Sequence, residues 1–265
     1  MDNKITDEQI AEWNSKQEEL RDKIIRSDGD FSLSKVKYVG GFDVSYSKIN
    51  HELAVSCMVV LSYPEMKQVY MNTTKVKLSC PYKSSYLAFR EIEPFQQELQ
   101  LLKAKKPNLE PQNSCFYFFL AILNGGTHHK RQVFLLDGNG FFHIRRCGAA
   151  SHLGVLSNTR TIGVAKSLIE IPEDGVKKTE VISQFKRLRK TGGNELDIIS
   201  TEKNEVLAKA VLYAPKVEKP IFVSAGHKCS LETAAKIVKG CTKTRIPEPI
   251  KMADKWSRKE LKKIE

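Results

Sequence analysis

No Cys-x-x-Cys pair occurs in this 265-residue chain, and none of its six cysteines (Cys57, Cys80, Cys115, Cys147, Cys229, Cys241) has a histidine at zinc-ligand spacing. A structural zinc and a disulfide framework are therefore not expected, which points to a reduced compartment. Long apolar runs are also missing: Cys115 to Leu123 is the longest, about half of what a membrane-spanning helix needs. The first residues, MDNKITDEQIAEW, are charged from the second position and lack the apolar segment of a secretory signal. The expected setting is the cytoplasm, with the nucleus or nucleolus as alternatives. There is no internal repeat. Gly240-Cys241-Thr242-Lys243-Thr244 lacks the first glycine and the Gly-Lys order of a phosphate loop, so nucleotide binding of that kind is not expected either.

What is abundant is positive charge. Forty-three Lys and Arg against 31 Asp and Glu give a formal charge of +12, which favours a polyanionic partner such as nucleic acid or an acidic membrane surface. The 41% hydrophobic content is enough for a real core, and the chain reads as one domain over residues 1–265. Residues 5–26 carry a rough helical spacing of apolar side chains. Val36 to Ser45, Ala54 to Ser62 and Gln68 to Leu78 are strand-like, and their short turn-prone connections predict an antiparallel meander. Leu87, Phe89, Ile92, Phe95, Leu99 and Leu102 then mark a helix, and Val133 to Leu136 a buried strand. Thr161 to Ala165 and Ile221 to Ser224 are two more strands, and Leu231 to Cys241 is a helix. The lysine-rich residues 170–210 read as a helical insertion over the sheet, and residues 255–265 as a basic C-terminal tail. This order predicts an α/β fold with a mixed sheet flanked by helices.

Two acids stand where buried strands end: Asp43 after Gly40-Gly41-Phe42, and Asp137 after Val133-Phe134-Leu135-Leu136. If those strands are neighbours the carboxylates converge, and paired oxygen ligands suit Mg²⁺ or Mn²⁺. A lone strand-end Asp is more often a turn cap, and Asp137-Gly138-Asn139-Gly140 is ordinary turn chemistry. The residues alone leave both readings open.

A resemblance shifts the balance. Gly41-Phe42-Asp43-Val44-Ser45-Tyr46, Pro81-Tyr82-Lys83-Ser84, Leu87-Ala88-Phe89-Arg90-Glu91, Asp137-Gly138-Asn139-Gly140 and Ala150-Ser151-His152-Leu153-Gly154 resemble the ordered motifs of the endonuclease V family. Thr161 to Lys166, Gly226-His227-Lys228 and Arg245-Ile246-Pro247-Glu248-Pro249 continue the series, so the similarity runs from about Trp13 to Asp254. The resemblance implies a ribonuclease H-like fold and a metal-dependent endonuclease with a three-acid site on Asp43, Glu91 and Asp137, holding Mg²⁺ or Mn²⁺. It places Lys166 at the scissile phosphate and Asp254 in water or metal positioning. It implies a base-flipping wedge at Pro81, Tyr82, Lys83 and Ser84, and a base pocket near Ser85, Leu87, Gly138, Gly140 and Gly148. His227 is a candidate phosphate contact on its residue type, although a single histidine is more often a hydrogen-bonded structural residue.

The implied reaction is hydrolysis of a phosphodiester 3′ of inosine, leaving 3′-hydroxyl and 5′-phosphate ends. The Pro-Tyr-x-Ser wedge and Asp254 resemble the animal branch, which acts on inosine in single-stranded RNA; deaminated DNA is the alternative substrate. Two rivals are a structure-specific nuclease of the same fold, disfavoured by the wedge, and a catalytically impaired nucleic-acid-binding protein, disfavoured by three intact acids. Three departures stand out. Ser85 occupies a position where the family usually has Gly, Ile92-Glu93 precede Pro94 where one residue is usual, and residues 113–132 interrupt the family pattern. The extra residue makes Glu93 a rival ligand. The interruption fits either an apolar loop or a retained intron.

Overall fold

Val39, Phe42, Val55 to Leu61 and Val133 to Leu136 lose nearly all contact with solvent, because they belong to strands covered on both faces. In the computed structural model, which describes residues 5–50, 52–78, 80–106, 132–215 and 217–265, eight strands form one sheet. In chain order they are β1 (Tyr38–Tyr46), β2 (Leu53–Ser62), β3 (Gln68–Lys77), β4 (Gln132–Asp137), β5 (Thr161–Ala165), β6 (Glu195–Ser200), β7 (Glu205–Val211) and β8 (Ile221–His227). The helices are α1 (Asp7–Arg21), α2 (Ala88–Lys105), α3 (Ala149–Leu156), α4 (Lys178–Lys190), α5 (Leu231–Cys241) and α6 (Glu248–Ile264). Of the segment 113–132, only Gln132 falls within the described residues; Cys115 lies outside them.

The sheet order is β3-β2-β1-β4-β5-β8-β7-β6. The expected antiparallel meander forms β1, β2 and β3. β4 and β5 then add in parallel beside β1, while β8, β7 and β6 add antiparallel. Along β4, alternate side chains face opposite layers. Val133 and Leu135 join Ile162, Val223, Ile237 and Ile250 on one side, and Phe134 and Leu136 join Phe42, Phe95 and Leu153 on the other.

Residues 170–210 are not a purely helical insertion. α4 is present, but β6 and β7 extend the sheet with Ile198, Leu207, Ala208, Ala210 and Val211 buried. Charged residues interleave with these short apolar positions and obscure the two-residue period; Asp197 and Lys209 face each other across the two strands and pair at 2.5 Å. The basic residues after 255 are the last turns of α6, with Ile250, Ala253, Ser257 and Leu261 buried along one stripe.

α6 seats against β1 at Gly41, where an added Cβ would lie 2.2 Å from the Pro249 carbonyl carbon. Only a residue without a side chain permits that approach, which also brings α6 side chains to the end of β1. Gly41→Ala is expected to lower stability by about 1–3 kcal/mol through overpacking; chemical denaturation checks this.

Candidate active site

Phe42 pairs with Leu136 in the parallel ladder of β1 and β4, so Asp43 and Asp137 emerge side by side at the carboxyl ends of adjacent strands. β5 lies next in the sheet, with Asp137 opposite Val164, and places Lys166 one step beyond its own end. The Lys166 ammonium pairs with the Asp137 carboxylate. Glu91 comes from the first turn of α2 and is buried, accepting a hydrogen bond from the Tyr46 hydroxyl. Glu93 is exposed, whereas the Glu91 carboxyl feels the charges of Asp43 and Asp137. From α6, the Ser257 hydroxyl lies 2.6 Å from Asp43 Oδ2 and 3.0 Å from the Asp254 carbonyl, while Asp254 Oδ1 accepts from Arg258 Nε at 2.8 Å. Asp43, Lys166 and Asp254 open on one cleft of about 580 Å³.

Burial pushes the Asp43 carboxyl up to about 6; the Ser257 hydrogen bond opposes this, and the negative charges of Asp254 and Asp137 add to it. Burial pushes Glu91 further, to about 8, against the Tyr46 hydrogen bond and with the charges of Asp43 and Asp137 adding to the rise. The Tyr46 phenol is held well above its ordinary range by burial and then by the Glu91 charge. These acids repel one another in a desolvated setting. Among the described residues, no three His, Cys, Asp or Glu side chains are gathered tightly enough to ligate an ion as they stand. The donor chemistry still suits a hard divalent cation: oxygen ligands alone, with the three acids Asp43, Glu91 and Asp137 outnumbering the nearby Lys166 ammonium and Arg90 guanidinium.

Beside this cleft is a second depression of about 300 Å³. Tyr82, Ser84, Ser85 and Leu87 line it together with Gly138 and Gly148. Tyr82 is 64% exposed, so it stands free at the rim and does not pack into the core. Gly140 is not in the lining: its amide donates to Ser224 Oγ at 2.8 Å, and an added Cβ would lie 2.2 Å from the Ala225 carbonyl oxygen. Its role is close approach to β8. Pro81 and Lys83, the chain neighbours of Tyr82, do not line the pocket. His227 is buried, its Nδ1 accepts from the Ile25 amide at 3.2 Å, and it lines neither depression. His152 is also buried, edge-on to Phe89 at 5.1 Å.

Sequence reasoning missed Gln17, Asn139 and His143 in the pocket wall. Gln17 lies on α1, far along the chain, and no local pattern marks it. Its amide donates to the Cys147 carbonyl at 2.8 Å. The Ser85 carbonyl faces His143 Nε2 at 3.1 Å and accepts from Arg145 Nη2 at 2.9 Å. Burial holds His143 down at about 4, so near neutral pH it is uncharged and Nε2–H is the donor.

Ser85 has φ +69°, the left-handed region that favours glycine. This explains why the family usually places Gly there: the position demands the conformation, and Ser85 adopts it at a steric cost. Ser85→Gly is expected to hold or raise stability, by up to about 1 kcal/mol. Ser85→Val is expected to lower it, because β-branching is poorly tolerated at positive φ. Thermal melts of the two variants check the sign.

A family model for Endonuclease V matches residues 18–112 and 117–255. Mouse Endonuclease V is 37% identical over 263 residues, covering 97% of this chain and 71% of the mouse protein. The human Endonuclease V is 35% identical over 263 residues, covering 97% and 85%. Among solved structures, Ciona intestinalis Endonuclease V, in complex with DNA containing an inosine followed by a ribo-adenosine, is 92% identical with a TM-score of 0.89, covering 98% of this chain and 100% of that one. The catalytic domain of human Endonuclease V is 32% identical with a TM-score of 0.82, covering 97% and 98%. The mixed sheet with flanking helices is thus the ribonuclease H-like fold of these enzymes. With converging acids at the strand ends, a pocket beside them and a match over nearly its whole length, this chain belongs to the endonuclease V family and is a nuclease acting on nucleic acid.

Proposed function

We propose that this protein hydrolyses the phosphodiester 3′ of an inosine in single-stranded RNA, leaving 3′-hydroxyl and 5′-phosphate ends, with Mg²⁺ as the cation and Mn²⁺ able to substitute. The observation that carries this reading is the juxtaposition of two built features. Asp43 and Asp137 meet at the ends of β1 and β4 with buried Glu91 facing them, and a pocket bordered by exposed Tyr82 lies beside them.

Asp43, Glu91 and Asp137 would hold the cation, which supplies activation of water and stabilisation of charge on the leaving oxygen. Lys166, placed beside Asp137, holds the scissile phosphate as a point charge. Ser257 holds the Asp43 carboxylate, and Asp254 lines the solvent side of the cleft. Tyr82 fills the gap left in the stack when the base enters the pocket, since an aromatic ring stacks on any base. The glycines Gly138 and Gly148 let backbone approach the base edge closely. Preference for RNA is supported by the animal-like wedge and Asp254. It is also supported by the substrate in the Ciona complex, where a ribo-adenosine follows the inosine. A 2′-hydroxyl at that place offers a contact that DNA lacks.

The test compares matched single-stranded RNA and DNA oligonucleotides, each with one inosine, in Mg²⁺. RNA is expected to be cut faster; equal rates would overturn the RNA assignment, and cutting indifferent to inosine would overturn the function. In the same assay Asp43→Asn should lower the rate at least about a hundredfold. Tyr82→Ala should reduce discrimination for inosine by about tenfold, the scale of one lost stacking contact.

A further inference from the structure

The densest run of charge, Lys186 to Lys190, has no part in the site described above. It lies on α4, whose inner face is fixed to the fold: Val181 and Phe185 pack with Phe142, Leu168 and Ile171. Its outer face carries Lys178, Lys186, Arg187 and Lys190 with the hydroxyls of Thr179 and Ser183, lining a broad open depression. These positions recur at three- and four-residue steps, so they form one stripe about 18 Å long.

This arrangement is costly for a helix. Like charges four residues apart destabilise it, by about 0.2–0.5 kcal/mol per pair: Lys186 and Lys190 stand at that spacing. Lys178 also sits in the first turn, at the positive end of the helix dipole. Other helices of this chain also carry like charges four residues apart, such as Lys251 and Lys255 on α6, but set acidic partners among them. α6 pairs Lys251 with Glu248, Arg258 with Asp254 and Lys263 with Glu260, and α1 pairs Lys16 with Glu19. On α4 the acid in the first turn, Glu180, pairs with Lys177. Among the described residues, none of the four stripe cations has an acidic partner.

The stripe is also tied to the site by a short path. Lys166 pairs with Asp137, Ser167 to Ile169 line the base pocket, and the next residue, Glu170, accepts from the Lys178 amide at 2.8 Å. We propose that the outer stripe of α4 is a secondary binding track for the phosphate backbone of the substrate strand, beyond the pocket that takes the base. Its unpaired cations are complementary to a polyanion, and its length spans several phosphates at roughly 3.4 Å rise per nucleotide. The proposal rests on the nucleic-acid reading of the site, and it assigns α4 to affinity for long strands.

The test uses the full chain with K186Q/R187Q/K190Q, because Gln keeps helix propensity and removes the repulsion. Binding to single-stranded RNA is measured across a salt series by fluorescence polarisation. The slope of log affinity against log salt is expected to fall by about 2 for three lost phosphate contacts. Cleavage is measured on a long RNA with a central inosine and on the same RNA trimmed close to the inosine on both sides. In the wild type, trimming raises KM; in the variant, the long RNA already shows the raised KM and trimming adds little. K186R/R187K/K190R, which keeps the charge, should restore both behaviours. A thermal melt at or above the wild-type value separates loss of the track from loss of the fold. A wild-type salt slope together with a wild-type length dependence in the Gln variant would overturn the proposal. A wild type that ignores inosine would overturn the site reading instead, while the salt slope still decides the track.

Discussion

The parallel pairing of β1 with β4 is the constraint on which the site depends. Its register sets Phe42 against Leu136, and the next residue on each strand is an acid. A slip by one residue would turn one carboxylate to the other face. The register is held by burial on both sides, since Phe42, Phe134 and Leu136 lie in one core and Val39, Val133 and Leu135 in the other. The apolar layers therefore enforce the proximity of two like charges.

That proximity has an energetic cost which other elements share. Tyr46 donates to Glu91, Ser257 to Asp43, and Lys166 pairs with Asp137. These partners do not neutralise the group: burial still raises Asp43 to about 6 and Glu91 to about 8. A carboxyl raised above its unfolded value favours the folded state while protonated, and this contribution is lost as pH rises through the shifted value. For Glu91 that window reaches to about 8. Without a cation, the site is thus least comfortable at the alkaline end, where all its acids must carry charge. A desolvated, poorly neutralised acid group is what one expects of a site shaped to accept positive charge from outside.

The strand-end acids and the meander were legible in the sequence because they depend on local pattern: short apolar runs, each followed by Asp. Glu91 came only from the resemblance, since nothing local shows that the first turn of α2 faces the end of β1. Its separation from Glu93 needed burial, which periodicity around Pro94 does not settle. The failures share a physical origin. β6 and β7 were hidden because charged residues interleave with their short apolar positions, so a lysine-rich stretch resembled an exposed helix. Gln17 and His143 reach the pocket through tertiary packing. Gly140 packs against β8 and His227 against the Ile25 amide, contacts that likewise depend on tertiary packing.

The central claim is that these acids form a cation site whose occupation requires ionised Glu91. Calorimetric titration of Mg²⁺ into the full chain near neutral pH, in buffers with different heats of protonation, tests it directly. With Glu91 raised to about 8, the account predicts release of about one proton per ion bound, because ligands must ionise to bind metal. It also predicts that affinity increases with pH and that proton release disappears in Glu91→Gln. Binding without proton release, or with the same release in Glu91→Gln, would contradict it.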